Sequence, residues 1–255
     1  MRIRGDMSGC PAAYQGGLSP AFVLHRRDYS NTSLLVDLFV EGRGRFPAVC
    51  KGARRPRNPA SALLQPFQPL WLDATGRGEV RTLTRVESDG PPLPLTGEAL
   101  LGAFYLNELL MRLLGRDDPH DRLFDVYRGA LLGLAGGLDL ETLLRRFELD
   151  LLRELGYGLS LDREMAGDAV IADAWYLVEL EEGVRRVESD SDGPLVSGRT
   201  LIALARGETL EHAPRREARA LLRRMLAPHL GDRPLRSREL YLQWHGAKPR
   251  AGLGD

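Results

Sequence analysis

The chain has 255 residues, 43% hydrophobic and 27% charged, and its 35 basic and 35 acidic side chains leave a formal net charge of zero. That balance excludes general electrostatic attraction to nucleic acid or membrane, so any polyanion binding must come from locally segregated charge. Only two cysteines occur, which excludes a disulfide scaffold, and no stretch offers the roughly 18 uninterrupted apolar residues needed to span a bilayer.

Residues 1–17, MRIRGDMSGCPAAYQGG, place Gly, Pro, Ser and Asp where a signal peptide needs a continuous apolar run. They are expected to form a flexible leader on a cytoplasmic protein. A first strand is predicted over 21–26, and Leu34, Val36, Leu38 and Val40 fall at every second position, which predicts a second over 34–40 with one buried face. EGRG supplies a glycine turn before RFPAVCK (45–51), where Pro47 suggests an edge or bulged position. Further strands are predicted over 65–73 and 78–86, joined at TGRG. Five short strands with glycine turns, before any helical period, predict a small antiparallel barrel over 18–95.

From Thr96 the period changes. TGEALLGAFYLNELLMRLLG is apolar almost all round between a Thr96 N-cap and Gly115, and DRLFDVYRGALLGLAGG carries Leu123, Tyr127, Ala130 and Leu134 on one stripe. DLETLLRRFELDLLRELGYG places Leu143, Phe147, Leu151 and Leu155 four apart and ends at Gly156 as C′. Residues 157–198 break the pattern: a hairpin, 175–180 with 184–188, is predicted there, resting on Trp175, Leu177, Val184 and Val187, with Glu179, Glu181 and Glu182 as a solvated rim. Helical sequence returns in SGRTLIALARGE, APRREARALLRRMLAPHLG and PLRSRELYLQW, and the last residues, AKPRAGLGD, are expected to fray. The whole chain therefore reads as α+β, a barrel followed by a helical domain over 96–255 with an inserted hairpin.

Catalytic signatures are missing. The five histidines are scattered, without a metal-binding pair, and no GxSxG, GxxxxGK[ST] or GxGxxG occurs. Binding has more support, because no Asp or Glu lies between Gly42 and Leu72 while Arg43, Arg45, Lys51, Arg54, Arg55 and Arg57 all do. Such residues on one hairpin and the following loop can track a phosphate backbone through counterion release. Phe39, Phe46, Phe67 and Trp71 are interleaved; stacking on bases is one reading, and core packing, the preferred one, is the other. Near the C-terminus Arg215, Arg219 and Arg223 line one helix face, suiting either a polyanionic partner or a solvated face. Arg145 and Arg146 beside Phe147 could clamp an acidic or C-terminal carboxylate, or could pair with Glu141 or Asp150.

The ordered series AFVLHRRDYSNTSLLVDLFVEGRGR, VCKGARR, LQPF, GRGEVRTL, YLNELLMRLL, LRRFELDLLRELGYG and PLRSRELYLQ, spanning about residues 20–245, resembles the RecO family of bacterial recombination mediators. The resemblance implies an OB-fold barrel followed by a helical domain, and a non-enzymatic DNA-repair role: binding single- and double-stranded DNA, annealing strands, meeting the acidic tail of single-stranded DNA-binding protein, and helping RecR load RecA. Lys51 and Arg54, in the KGAR motif, are the leading expected DNA contacts, joined by Arg43, Arg45, Arg55, Arg57 and Arg81; Arg145, Arg146 and Phe147 are nominated for the tail peptide. Many relatives carry a four-cysteine zinc module after GYG, but residues 157–200 contain no cysteine, so no metal or other cofactor is expected. A generic oligonucleotide-binding module and a metal-dependent hydrolase using residues such as Asp37 and Glu79 remain the alternative readings.

Overall fold

The period-two run at 34–40 becomes strand β2 (Leu34–Val40), paired antiparallel with β1 (Ser19–Asp28) so that Ala21 faces Val40 and Asp28 faces Leu34. This is a computed structural model, and it describes residues 17–76, 78–180 and 182–247. Strands β3 (Gly44–Cys50), β4 (Leu70–Thr75) and β5 (Arg81–Ser88) complete a closed barrel in the order β1-β2-β3-β5-β4, the strand order of an OB-fold. Closure leaves no long free edge, because β1 also pairs with β4 from Ser19–Leu72 to Ala21–Leu70. Inside lie Val23, Val36, Leu38, Val40, Phe46, Ala48, Leu64, Leu70, Leu72 and Leu83. Each large apolar side chain buried in this way contributes on the order of 1.5–3 kcal/mol.

Three expectations need correction here. Leu35 and Phe39, on the second face of β2, are also buried, at 6% and 0% exposure, so the alternation marks the barrel interior without revealing that the other face is covered. The strand expected over 65–73 begins only at Leu70, since Pro66 and Pro69 lack ladder donors and Phe67 has φ of +66°; a short helix, α1 (Ala60–Leu63), precedes it. The strand expected over 78–86 is shifted to Arg81–Ser88. Pro47 sits just before the two-residue parallel pairing of β3 with β5, Ala48–Arg81 and Val49–Thr82, where a missing N–H is tolerated.

By contact the described residues divide into two units: the barrel, from Gly17 to Gly42 and from Phe46 to Pro91, and a second unit of Arg43–Arg45 and the described residues from Pro92 onward. The second unit is built on α2 (Gly97–Leu113), α3 (Asp121–Ala135) and α4 (Leu140–Glu154), which bury Leu106, Leu109, Leu110, Leu123, Phe124, Tyr127, Leu131, Phe147 and Leu151. Buried Tyr127 donates its hydroxyl to Asn107 Oδ1 at 2.5 Å, which keeps the polar atom paired. Asp139 N-caps α4 by accepting from the Thr142 amide at 2.9 Å, and Gly156 with φ of +85° ends it.

The insertion forms a three-stranded sheet, β7-β6-β8, from β6 (Trp175–Glu179), β7 (Gly183–Val187) and β8 (Val196–Ser197). Its buried face carries Tyr176, Val178, Val184 and Val196; Trp175 is 37% exposed, and Leu177 and Val187 are only partly buried. WYLVE has apolar residues in both phases, so periodicity could not choose the face, whereas the Tyr176 hydroxyl settles it by accepting the Ile171 amide at 2.8 Å. Glu179 pairs with Arg185 at 2.8 Å and Glu182 is exposed, while Glu181 lies outside the described residues, as do residues 1–16 of the expected leader and the chain from Lys248. Helices α5 (Gly198–Arg206), α6 (His212–Leu230) and α7 (Arg236–Ala247) follow.

Candidate nucleic-acid interface

The basic loop after β3 is a folded turn. Ala53, at 0% exposure, is buried in the barrel core and anchors the loop, while Gly52 takes φ of +73°. The Arg55 amide donates to the Gly52 carbonyl at 3.0 Å, the Asn58 amide to the Arg55 carbonyl at 3.2 Å, and Asn58 Nδ2 to the Gly52 carbonyl at 2.9 Å. Arg57 is held at φ of +67°, a conformation that costs a non-glycine residue on the order of 1 kcal/mol or more. Lys51, Arg55 and Arg57 are all exposed on this turn, and no acidic side chain pairs with them among the described residues.

Arg54 behaves differently. Its Nη2 lies 2.9 Å from Asp28 Oδ2, its Nη1 donates to the Ser30 carbonyl at 2.8 Å, and its amide donates to the Thr32 carbonyl at 3.0 Å. The guanidinium therefore fastens the β1–β2 connection, residues 29–33, to the basic turn, and that connection is closed by Tyr29 donating its amide to the Ser33 carbonyl at 3.1 Å. Arg26 is similarly engaged, donating to the carbonyls of Ser61 and Leu64 at 3.1 and 3.3 Å.

The other basic candidates are not gathered on this loop. In the second unit Arg45 donates from Nε and Nη2 to the Leu114 carbonyl at 3.2 and 3.0 Å, placing a cation at the C-terminal end of α2, where the helix dipole favours it. Arg43 is half-buried and groups with the same unit. Neighbouring Gly44 is required, since a Cβ there would meet the Asp118 carbonyl oxygen at 2.1 Å. In the barrel Arg81 lays its guanidinium 3.8 Å over the Phe46 ring, itself only 1% exposed. Phe39, Phe46 and Phe67 are core residues and Trp71 is half-buried. The exposed aromatic ring of the barrel unit, among the described residues, is Tyr29 at 61%, a residue passed over in the sequence although DYSNTS marks it as a surface connection between two strands.

The three α4 residues nominated for a peptide are not presented together. Arg145 is 7% exposed and pairs with Glu148 at 2.9 Å, Glu148 is fully buried and accepts from the Tyr105 hydroxyl at 2.6 Å, and Phe147 packs edge-on against Tyr127 with centroids 6.4 Å apart. Burial pushes the Glu148 carboxyl up, with Arg145 and the Tyr105 hydroxyl opposing that shift. Adjacent helical residues diverge by about 100°, so two neighbouring arginines cannot share one environment, and only Arg146 faces solvent. The arginine row of α6 is also partly engaged: Arg215 meets Asp139 at 2.7 Å, Arg219 pairs with Glu141, and Arg224 donates to the Val178 carbonyl at 3.1 Å, while Arg216 and Arg223 are exposed. Like charges in one row are thereby stabilised by acids at the start of α4. Among the described residues no group of three or more His, Cys, Asp or Glu could hold a metal ion, and the cysteine-free insertion does not fit a four-cysteine zinc module. No helix, among the described residues, is long and apolar enough to cross a membrane.

Comparison with known proteins gives two adjoining family matches, recombination protein O N terminal over residues 18–90 and recombination protein O C terminal over residues 94–239. The chain is 51% identical over 225 residues to the DNA repair protein RecO of Nitrosococcus oceani, an alignment covering 88% of this chain and 92% of the relative. It is 48% identical to the protein of that name from Alkalilimnicola ehrlichii, over 89% and 91% of the two chains, and 45% identical to that of Nitrosospira multiformis, over 87% and 93%.

Proposed function

The chain belongs to the RecO family of DNA repair proteins, and from that premise we propose that it is a non-catalytic recombination mediator whose barrel holds DNA by its phosphates. It binds single- and double-stranded DNA, anneals complementary strands coated with single-stranded DNA-binding protein, and acts with RecR to load RecA. The observation that carries the DNA site is the exposed trio Lys51, Arg55 and Arg57, without acidic partners among the described residues, on an ordered turn of an OB-fold barrel. Their charges can replace counterions along a backbone while leaving bases available for pairing. Arg54 contributes by fixing the loop geometry. Arg43, Arg45 and Arg81 make a smaller contribution because each is half-buried, with Arg45 bound to a helix end and Arg81 to a ring. For the acidic tail of the coat protein, Arg146 is the residue of the α4 trio that can reach a ligand without dismantling the helix core.

Annealing of labelled complementary strands tests this function, with the strands coated either by full-length single-stranded DNA-binding protein or by a version lacking its acidic tail. Acceleration that depends on the tail is the expected result. Binding to bare DNA without any acceleration would reduce the protein to a generic oligonucleotide-binding module.

A further inference from the structure

We propose that Tyr29 is a base-stacking platform that gives the barrel a preference for single-stranded over double-stranded DNA, an inference that rests on the barrel being the DNA site. Of the other aromatics of the barrel unit considered for stacking, Phe39, Phe46 and Phe67 are withdrawn from solvent at 0%, 1% and 6% exposure and Trp71 is half-buried, while Tyr29 is 61% exposed. An exposed ring on a loose loop would lose much of its stacking energy to ordering, but this loop is already held. Arg54 binds the residues on both sides of Tyr29, Asp28 through its carboxylate at 2.9 Å and Ser30 through its carbonyl at 2.8 Å, and the Tyr29 amide closes the connection on Ser33.

The same contacts set the electrostatics. Asp28 is the acid beside Tyr29, and its charge is met by Arg54, so it does not repel an approaching phosphate as a free carboxylate would. Arg54 begins the link to the turn that presents Lys51, Arg55 and Arg57, so the ring and the three cations belong to two connections fastened together. That combination, a cationic track with an exposed π-face on the connection fastened to it, is selective for strands whose bases are unstacked: phosphates are common to both DNA forms, but a duplex keeps its base faces occupied.

The test measures equilibrium binding of the full chain and its variants to three labelled probes: a thymine oligonucleotide, a strand of equal length built from abasic sites, and a duplex. Tyr29→Ala is expected to weaken binding of the thymine strand by about 5- to 100-fold, with little change for the abasic strand and the duplex, and with an unchanged salt slope. Tyr29→Phe is expected to keep the preference, and unchanged duplex affinity reports that the variants are folded. Equal losses on the thymine and abasic strands, or no loss on either, would overturn the stacking role. A Lys51→Ala/Arg55→Ala/Arg57→Ala variant separates the two failures: if it loses affinity while Tyr29→Ala does not, stacking fails and the barrel site stands, and if neither loses affinity, the barrel site fails and stacking with it.

Discussion

Arg54 Nη2 stands 2.9 Å from Asp28 Oδ2, and the same guanidinium reaches the Ser30 carbonyl at 2.8 Å, so a residue from the KGAR motif spends its charge within the barrel. The pair is substantially solvent-exposed, at 36% and 66% of the two side chains, and its Coulombic part contributes no more than about 1 kcal/mol. Its larger effect is on loop order.

Arg54→Lys keeps the charge but cannot reproduce a planar fork that serves a carboxylate and a carbonyl together. Faster amide exchange at residues 29–33 is expected in both Arg54→Lys and Arg54→Ala, with DNA affinity reduced to a similar degree in each. Full affinity in the lysine variant would make Arg54 a phosphate contact instead.

Removing Lys51, Arg55 and Arg57 together should lower the slope of log K against log salt for a single strand by about 2, since each phosphate neutralised contributes about 0.7. Titration at several salt concentrations reads the slope directly. An unchanged slope would move the DNA site away from this turn.

Arg45→Met is expected to cost about 1 kcal/mol of stability, through loss of the cation at the end of α2, and to leave DNA affinity nearly unchanged. Urea unfolding and duplex binding on the same preparation check both halves.

Arg145→Ala leaves Glu148 buried without its cation, and a loss of about 3–5 kcal/mol is expected at neutral pH. The Glu148 carboxyl lies above its ordinary range in the folded protein, with burial as the leading cause. For an acid with a raised folded value, the stabilising protonated form is complete at low pH and is lost as pH rises through that value. The difference between variant and parent should therefore grow as pH rises from the unfolded carboxylate range toward neutrality. A pH-independent difference in urea midpoints would contradict this account.

Glu108 shows the opposite sign. Burial pushes its carboxyl up, but donation from the Ser237 amide at 2.8 Å and hydroxyl at 2.7 Å, from the Arg236 amide, and the nearby Arg112 guanidinium hold it below its usual value. The stability it contributes is complete above about pH 4.5 and is lost as pH falls through the lowered folded value. Glu108→Gln should cost about 1 kcal/mol at pH 7, loosen the start of α7 in hydrogen exchange, and flatten the acid limb of the stability curve.

The order of architecture, a barrel followed by helices, is legible in the residues alone, because the change from a two-residue to a 3.6-residue apolar period is a local property of the chain. The acid-free basic stretch and the cysteine-free insertion are legible there too, since both depend only on which residues are present. Which of those side chains stay exposed and which are engaged by partners depends on the folded arrangement. Lys51 and Arg54 are three positions apart in one motif, but only Arg54 has Asp28 and Ser30 within reach, and those come from another strand's end. Arg145 and Arg146 are chain neighbours of one type, and the fold buries one against Glu148 while leaving the other in water. DYSNTS marks Tyr29 as lying on a surface connection, but only the fold shows that Arg54 holds that connection. Pairing and burial are settled by groups distant in sequence, which a local pattern does not encode.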